Sequence, residues 1–169
     1  MMYWIFRNAD QRIYVVDNDA SELTLYEIDD QNERMDGANG SLAYSPDDEG
    51  RRSLHTILVN PAGTGLGAMI MWCFATSAAA AGHQQLSLTL PAPDVRAWYE
   101  NIGFEIDPVA LQHARDSLPA DDRPEAEREA EIAAFAAGFQ MVGDSQAIAG
   151  ATIGSWQAAW EMDSQGFHP

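Results

Sequence analysis

A glycine-rich turn between an apolar strand and an apolar helix constrains this chain most. Residues 53–60 alternate as a strand does, and Pro61 ends that pattern. Glycines at 63, 65 and 67 follow, and good helix formers continue over 66–81. Glycine lets a backbone approach a ligand closely, and the free N–H groups of a helix N-terminus favour an anion. The turn therefore predicts a phosphate-binding site, while tight packing alone remains the alternative.

Two well-known phosphate-binding loops fit this turn poorly. A Walker loop needs a lysine, and all nine basic residues of the chain are arginine. The dinucleotide pattern Gly-x-Gly-x-x-Ala is matched by Gly63, Gly65 and Ala68. That reading requires an acid at the end of the next strand, and the first acid after that strand is Asp94. A dinucleotide site therefore stays a weaker alternative.

The remaining pattern predicts one α/β domain over residues 1–169. Strands are expected at 2–6, 12–17, 24–28, 53–60, 85–90, 104–106 and 156–162, and helices at 66–81, 94–101, 109–118 and 123–138. Residues 29–51 are rich in Asp, Asn, Gly, Ser and Pro, which predicts a polar loop with one short strand at 42–44. The strand–helix–strand connection from 53 to 90 requires that its two strands run parallel.

A second motif lies about thirty residues after the turn, and the two together resemble a known superfamily. Val95-Arg-Ala-Trp-Tyr-Glu-Asn-Ile-Gly-Phe-Glu105 is similar to a helix-to-strand signature in which an aromatic–tyrosine pair precedes a Gly-Phe corner. With the turn, it resembles the Gcn5-related N-acetyltransferase (GNAT) superfamily over residues 53–106. Two departures are that Ala62 stands where the family has Arg or Gln, and that the loop is two residues shorter.

The resemblance implies a fold and an activity. The fold would be a mixed, mostly antiparallel sheet with flanking helices, in which the central parallel strands 53–60 and 84–90 splay around the cofactor. A helical insertion over about 109–150 would precede the last strand and border the acceptor site. The activity would be transfer of an acetyl group from acetyl-CoA to a primary amine, by direct attack in a ternary complex.

The resemblance also implies site residues. The backbone of Leu58 and Val59 would pair with the pantetheine arm of the cofactor, and Tyr99 would protonate the departing CoA thiolate, a task that suits a phenol with an ordinary pKa near 10. The pyrophosphate would be cradled by the residues of the turn and the first helical residues, which are Gly63, Thr64, Gly65, Leu66, Gly67 and Ala68.

The general base is expected on the strand before the turn. Alternation places His55 on the strand face that carries Ile57 and Val59, and an imidazole suits proton transfer near neutral pH. Glu22 and Glu27 are rival candidates, and a core histidine is the structural alternative. No metal site is expected, because the chain has one cysteine and its histidines lack metal-ligand spacing.

The charge of the chain restricts its partners. The net charge is −17, and Asp17 to Glu49 carries eleven acids against one base, Arg34. Such acidity disfavours duplex DNA and anionic membranes and favours a cationic acceptor. We therefore expect a cytoplasmic monomer or homodimer that acts on an amine without nucleic-acid or membrane partners. The contrasting hypothesis is a non-catalytic binding or regulatory module on the same scaffold.

Overall fold

A computed structural model describes residues 2–47, 49–89, 93–157 and 160–162. These residues form nine strands and five helices. The strands are β1 (Met2–Asn8), β2 (Ile13–Asp19), β3 (Glu22–Ile28), β4 (Arg34–Pro46), β5 (Arg52–Asn60), β6 (Gln85–Leu88), β7 (Glu105–Ile106), β8 (Met141–Asp144) and β9 (Trp160–Met162). The helices are α1 (Leu66–Ala80), α2 (Pro93–Asn101), α3 (Pro108–Ser117), α4 (Glu125–Phe139) and α5 (Ser145–Gln157).

All the described strands lie in one sheet, in the order β7-β8-β6-β5-β4-β3-β2-β1-β9. The pair β5–β6 is parallel, and every other neighbouring pair is antiparallel. The parallel pair is joined through α1, as the crossover requires. The expected mixed, mostly antiparallel sheet with flanking helices is confirmed.

The parallel strands separate part of the way along β5. Only Arg52 to Leu54 pair with β6, opposite Leu86 to Leu88. β5 continues to Asn60 while still paired with β4 on its other side. Within the described residues, the second half of β5 therefore has no β6 partner, and the expected splay of the central strands is confirmed.

The two faces of the antiparallel half of the sheet differ in burial. Leu23 pairs with Leu42, and both side chains are buried in the core beneath α1, which packs against α5. We call this the inner face. Thr24, Ser41 and Leu58 lie side by side in register on the other face, where Leu58 is 65% exposed. We call this the outer face. The described helices are all too short or too polar to cross a bilayer.

The prediction of a polar loop over residues 29–51 was wrong for residues 34–46, which form a strand that contains the short strand predicted at 42–44. The strand β4 has thirteen residues and pairs with β3 and β5 on its two sides. Its polar side chains alternate with Ala38, Leu42 and Tyr44, which are buried on the inner face. Hydrogen bonds from two neighbouring strands stabilise a segment whose own composition disfavours a strand.

The region after β7 combines confirmed and corrected expectations. The predicted helices at 109–118 and 123–138 are α3 and α4. The helical insertion is interrupted, because β8 enters the sheet between β6 and β7 before α5 begins. Trp156, which was predicted to begin the last strand, lies in α5 and is buried against Phe6 and Trp72. The strand β9 covers 160–162, whereas residues 90–92 and 158–159 lie outside the described residues.

A buried ion network ties the insertion to the sheet. Arg51 donates to Asp47 Oδ2 at 2.7 Å, and Ser87 donates to the same oxygen at 2.8 Å. Arg51 Nη1 also lies 3.4 Å from Asp107 Oδ2, and Asp107 caps α3 by accepting the Val109 N–H at 3.0 Å. The start of α3 is therefore fixed against β5 and β6 below the point where these strands separate.

Candidate active site

The glycine turn is open to solvent and geometrically depends on glycine. Gly63 and Gly65 have φ values of 75° and 84°, a region that residues with a Cβ avoid. Thr64 Oγ1 donates to the Pro61 carbonyl oxygen at 3.0 Å, which closes the turn. A Cβ added at Gly63 would meet no atom within 4 Å, so the turn has room for a ligand on that side.

The N-terminus of α1 presents backbone donors at this turn. Gly65 is the N-cap and contributes no side-chain cap. The first intrahelical bond runs from the Met69 N–H to the Gly65 carbonyl oxygen, at 3.0 Å. The N–H groups of residues 66–68 therefore have no acceptor in the helix and, with the positive end of the helix dipole, favour an anion. Leu66 and Ala68 are buried, so only their backbone can contribute to such a site.

A cavity of about 610 Å³ adjoins the turn on the β1–β4 side, and no local pattern of the sequence predicts it, because its residues come from separate strands. Among the described residues that line it, the only arginine is Arg12, which directly precedes β2. The turn itself has Ala62 where the family has Arg or Gln. Arg12 thus brings a guanidinium to the same end of the sheet from a distant part of the sequence. The cavity is lined by Asn8, Ala9, Asp10, Arg12, Tyr14, Asp36, Gly37, Ala38, Asn60, Pro61, Thr64 and Leu66.

Arg12 is held in place by a buried carboxylate. Its Nε and Nη2 donate to the two oxygens of Glu27 at 2.7 and 2.8 Å, and the Ala38 N–H donates to Glu27 Oε2 at 3.3 Å. Glu27 is 2% exposed, whereas half of the Arg12 side chain is exposed. The hydrogen bond from Arg12 to Glu27 raises the pKa of the guanidinium above its ordinary value. A Cβ added at Gly37 would lie 2.1 Å from Glu27 Oε2, so this arrangement requires glycine there.

Tyr99 lies on α2 and is 4% exposed. Its ring packs edge-on against Trp98 and Phe104, with centroids 4.9 and 5.6 Å apart. Burial raises the pKa of Tyr99 to about 12, because the phenolate would lose its hydration. The phenol therefore remains protonated at neutral pH, which a proton donor requires. It belongs to the same buried cluster as Leu54 and Leu88, the last paired residues of β5 and β6.

His55 lies at a bulge and not on the strand face that the alternation predicted. Thr56 pairs with Ala43 and Leu54 pairs with Tyr44, so His55 is the extra residue of β5. Its Nε2 lies 2.6 Å from Ser45 Oγ, on the outer face, whereas Ile57 and Val59 pack against the core. The bulge reverses the alternation, which single-strand periodicity cannot anticipate. His55 is exposed and directly follows the last residue of β5 that pairs with β6.

The rival bases differ in availability. Both oxygens of Glu27 accept hydrogen bonds from Arg12, and the residue is 2% exposed, so its carboxylate is shielded from an incoming amine. Glu22 is exposed and pairs with Ala43, which in turn pairs with Thr56, so it lies about 10 Å from β5 on the outer face. Among the described residues, no three His, Cys, Asp or Glu side chains are grouped as metal ligands.

The expected site residues lie in two different environments, one at the N-terminus of α1 and one on the exposed part of β5. The turn residues 63–68 lie together at the N-terminus of α1, and Leu66 shares the buried cluster with Tyr99. Leu58 and His55 are exposed on β5, beyond the point of separation from β6.

Comparison with known proteins finds similarity at the level of structure. No family model matches the chain, and no curated protein matches it. A GNAT-family protein from Desulfovibrio desulfuricans is similar over 52% of this chain and 57% of its own, at 19% identity and a TM-score of 0.40. A GNAT-family N-acetyltransferase from Escherichia coli, solved with CoA, is similar over 75% of this chain and 61% of its own, at 21% identity and a TM-score of 0.42.

A third solved structure, the KacTA complex with DNA, is similar over 78% of this chain and 72% of its own, at 13% identity and a TM-score of 0.43. In the first two of the three, the matched region spans less than two thirds of the solved protein. The fold assignment comes from the chain's own sheet, in which a parallel pair splays beside a glycine turn that opens a helix. The chain has a GNAT-like fold.

Proposed function

We propose that this protein is an N-acetyltransferase that transfers an acetyl group from acetyl-CoA to a primary amine. The observation that carries the proposal is the separation of β5 from β6 directly beside an open glycine turn. The unpaired half of β5 and the donors of α1 would together hold an extended cofactor with an anionic end. The CoA in the similar E. coli structure is a ligand of that protein and agrees with this choice of cosubstrate.

The residues of this chain would bind the cosubstrate as follows. Backbone N–H groups of residues 66–68 would donate to the pyrophosphate, with Gly63, Thr64 and Gly65 giving the phosphates close access. The free edge of β5 at Leu58 and Val59 would pair with the amide groups of the pantetheine arm, as an added strand does. Arg12 would provide the cationic side chain that the turn lacks at Ala62.

The chemistry would need one base and one acid. The acetyl group arrives as a thioester, and the neutral amine attacks its carbonyl carbon. His55 would take the proton that the amine loses as the C–N bond forms, and Tyr99 would give a proton to the sulfur as the C–S bond breaks. Holding both substrates in line replaces a bimolecular reaction with an effectively intramolecular one.

The test is a calorimetric titration with acetyl-CoA, followed by measurement of thiol release with a panel of primary amines. We expect saturable binding with a raised Tm, and thiol release with at least one amine whose product is heavier by one acetyl group in mass spectrometry. A protein that binds acetyl-CoA without releasing thiol would support the alternative of a regulatory module. A protein that neither binds acetyl-CoA nor gains stability from it would end the proposal.

A further inference from the structure

A second cavity, of about 520 Å³, lies on the outer face at the end of β5. Two rows of paired residues form its floor. Thr24, Ser41 and Leu58 make one row, and Asn39 and Asn60 belong to the next. Every side chain in these rows except that of Leu58 can donate a hydrogen bond. The polar side chains of these rows therefore carry no charge, and Gly40, Leu58 and Val59 complete the lining with apolar surface.

The charged residue in the described lining of this cavity is Arg34, at the start of β4. Its guanidinium carbon lies 4.6 Å from the ring centroid of Tyr26, which holds the side chain over the outer face. Five of the nine arginines form ion pairs with carboxylates among the described residues, namely Arg12, Arg51, Arg96, Arg115 and Arg123. Among the described residues, no carboxylate oxygen lies within 4 Å of an Arg34 guanidinium nitrogen.

This lack of an acidic partner is notable because Arg34 is the one base between Asp17 and Glu49, where eleven acids occur. Acids are abundant in this part of the sequence, yet the guanidinium stacks on an aromatic ring and lies at a cavity whose other polar side chains are neutral. A planar guanidinium with free N–H groups, beside amide and hydroxyl donors, matches a carboxylate.

The cavity and the candidate base lie on the same face of the same strand. His55 is on the outer face through its contact with Ser45, and Leu58 of the cavity floor follows three residues later. Three residues of an extended strand span about 10 Å. The exposed Leu58 side chain lies between the two positions and offers an apolar surface to an alkyl chain.

We propose that this cavity is the carboxylate subsite of the acceptor, so that the substrate is a primary amine linked by an extended chain to a carboxylate. Arg34 would bind the carboxylate and act as a specificity-determining residue, while the amine reaches the acetyl group near His55. The acidic surroundings attract the ammonium end of such a molecule, and Arg34 selects its anionic end. This inference rests on the proposed function and specifies its substrate.

The test compares 8-aminooctanoate with 8-aminooctanamide, which has the same length and amine but no negative charge. For the wild-type protein we expect kcat/KM for the carboxylate to exceed that for the amide by about tenfold or more, the usual effect of one charge-assisted pair. Arg34→Gln should remove this preference while leaving kcat/KM for the amide and the affinity for acetyl-CoA unchanged. Arg7→Ala is the matched control, because Arg7 is a β1 arginine that contacts Gln11 and lies outside the cavity.

Binding of 8-aminooctanoate, measured by calorimetry in the presence of CoA, tests the site independently of turnover. A tenfold weaker affinity in Arg34→Gln than in Arg7→Ala supports the inference even if the amine is not acetylated. Equal affinities, or equal kcat/KM values for the two amines, would overturn the inference and leave the acetyltransferase proposal standing. Weaker binding of CoA in Arg34→Gln would also overturn it, since the subsite would then belong to the cofactor.

Discussion

Ser45 Oγ and His55 Nε2 lie 2.6 Å apart, across the bulge that separates the two halves of β5. The contact joins β4 to β5 and holds the imidazole on the outer face, next to the point where β5 leaves β6. It also engages one ring nitrogen, which leaves the other nitrogen for a second partner.

We expect His55→Gln to lower kcat by about a hundredfold or more, which is typical for loss of a general base. Ser45→Ala should lower kcat less, because the ring stays in place but loses its orienting contact. Ser53→Ala, at the position paired with Ser45, is the matched control and should retain wild-type rates. Steady-state kinetics between pH 6 and 9 measure these effects. Wild-type kcat in His55→Gln would remove His55 from the mechanism.

Tyr99→Phe tests the proton donor. The substitution removes one hydroxyl from a ring that is otherwise packed between Trp98 and Phe104, so the fold should be retained. We expect kcat to fall by about a hundredfold or more while the Kd for acetyl-CoA stays within a factor of about two. Single-turnover kinetics and calorimetry make the comparison, and unchanged turnover would exclude the phenol as the acid.

Tyr99 also predicts how stability depends on pH. Its folded pKa is raised from 10 to about 12 by burial, so ionisation favours the unfolded chain. The stabilising contribution is fully present below about pH 10 and is lost as the pH rises through about 12, and it amounts to roughly 2 kcal/mol. Urea unfolding at pH 9 and pH 11.5 should therefore show a larger loss in the wild type than in Tyr99→Phe. Equal losses would contradict the raised pKa.

Two glycines with the same backbone conformation allow the cost of backbone strain to be distinguished from a loss of cofactor binding. Gly63 and Gly50 have φ values of 75° and 76°, and a Cβ at either would meet no atom within 4 Å. Gly63→Ala and Gly50→Ala should each destabilise the fold by about 1–2 kcal/mol, the cost of a left-handed residue. Only Gly63→Ala should weaken acetyl-CoA binding, because only that glycine belongs to the turn before α1. Calorimetry on both variants checks this, and equal losses of affinity would argue against the site.

The contact between Gly37 and Glu27 predicts a strong effect on stability. A methyl group at position 37 would lie 2.1 Å from Glu27 Oε2 and would displace a buried carboxylate from Arg12. We expect Gly37→Ala to lower the free energy of unfolding by about 2–4 kcal/mol. Gly150→Ala is the control, because that site on α5 is open and alanine favours a helix by about 1 kcal/mol. A neutral Gly37→Ala would show that the carboxylate relaxes without loss.

The sequence predicted those elements whose conformation depends on interactions among residues that are close together in the chain. The turn at 63–67 and helix α1 were predicted because glycine spacing, helix propensity and Pro61 act over a few residues. The parallel pairing of β5 and β6 followed from the crossover through α1. The role of Tyr99 came from a resemblance and stays a prediction.

Tertiary structure decided the features that depend on pairing across strands. The polar segment before β5 became the thirteen-residue β4 because β3 and β5 supply its hydrogen bonds. The bulge at His55 exists only in the register between β4 and β5, and it moved that side chain to the outer face. Arg12 reached the cavity beside the glycine turn from a distant position in the sequence, and strand pairing brought Arg34 beside Leu58 and Asn60. Periodicity assigns faces within one strand, but the partners across a sheet are set by long-range packing.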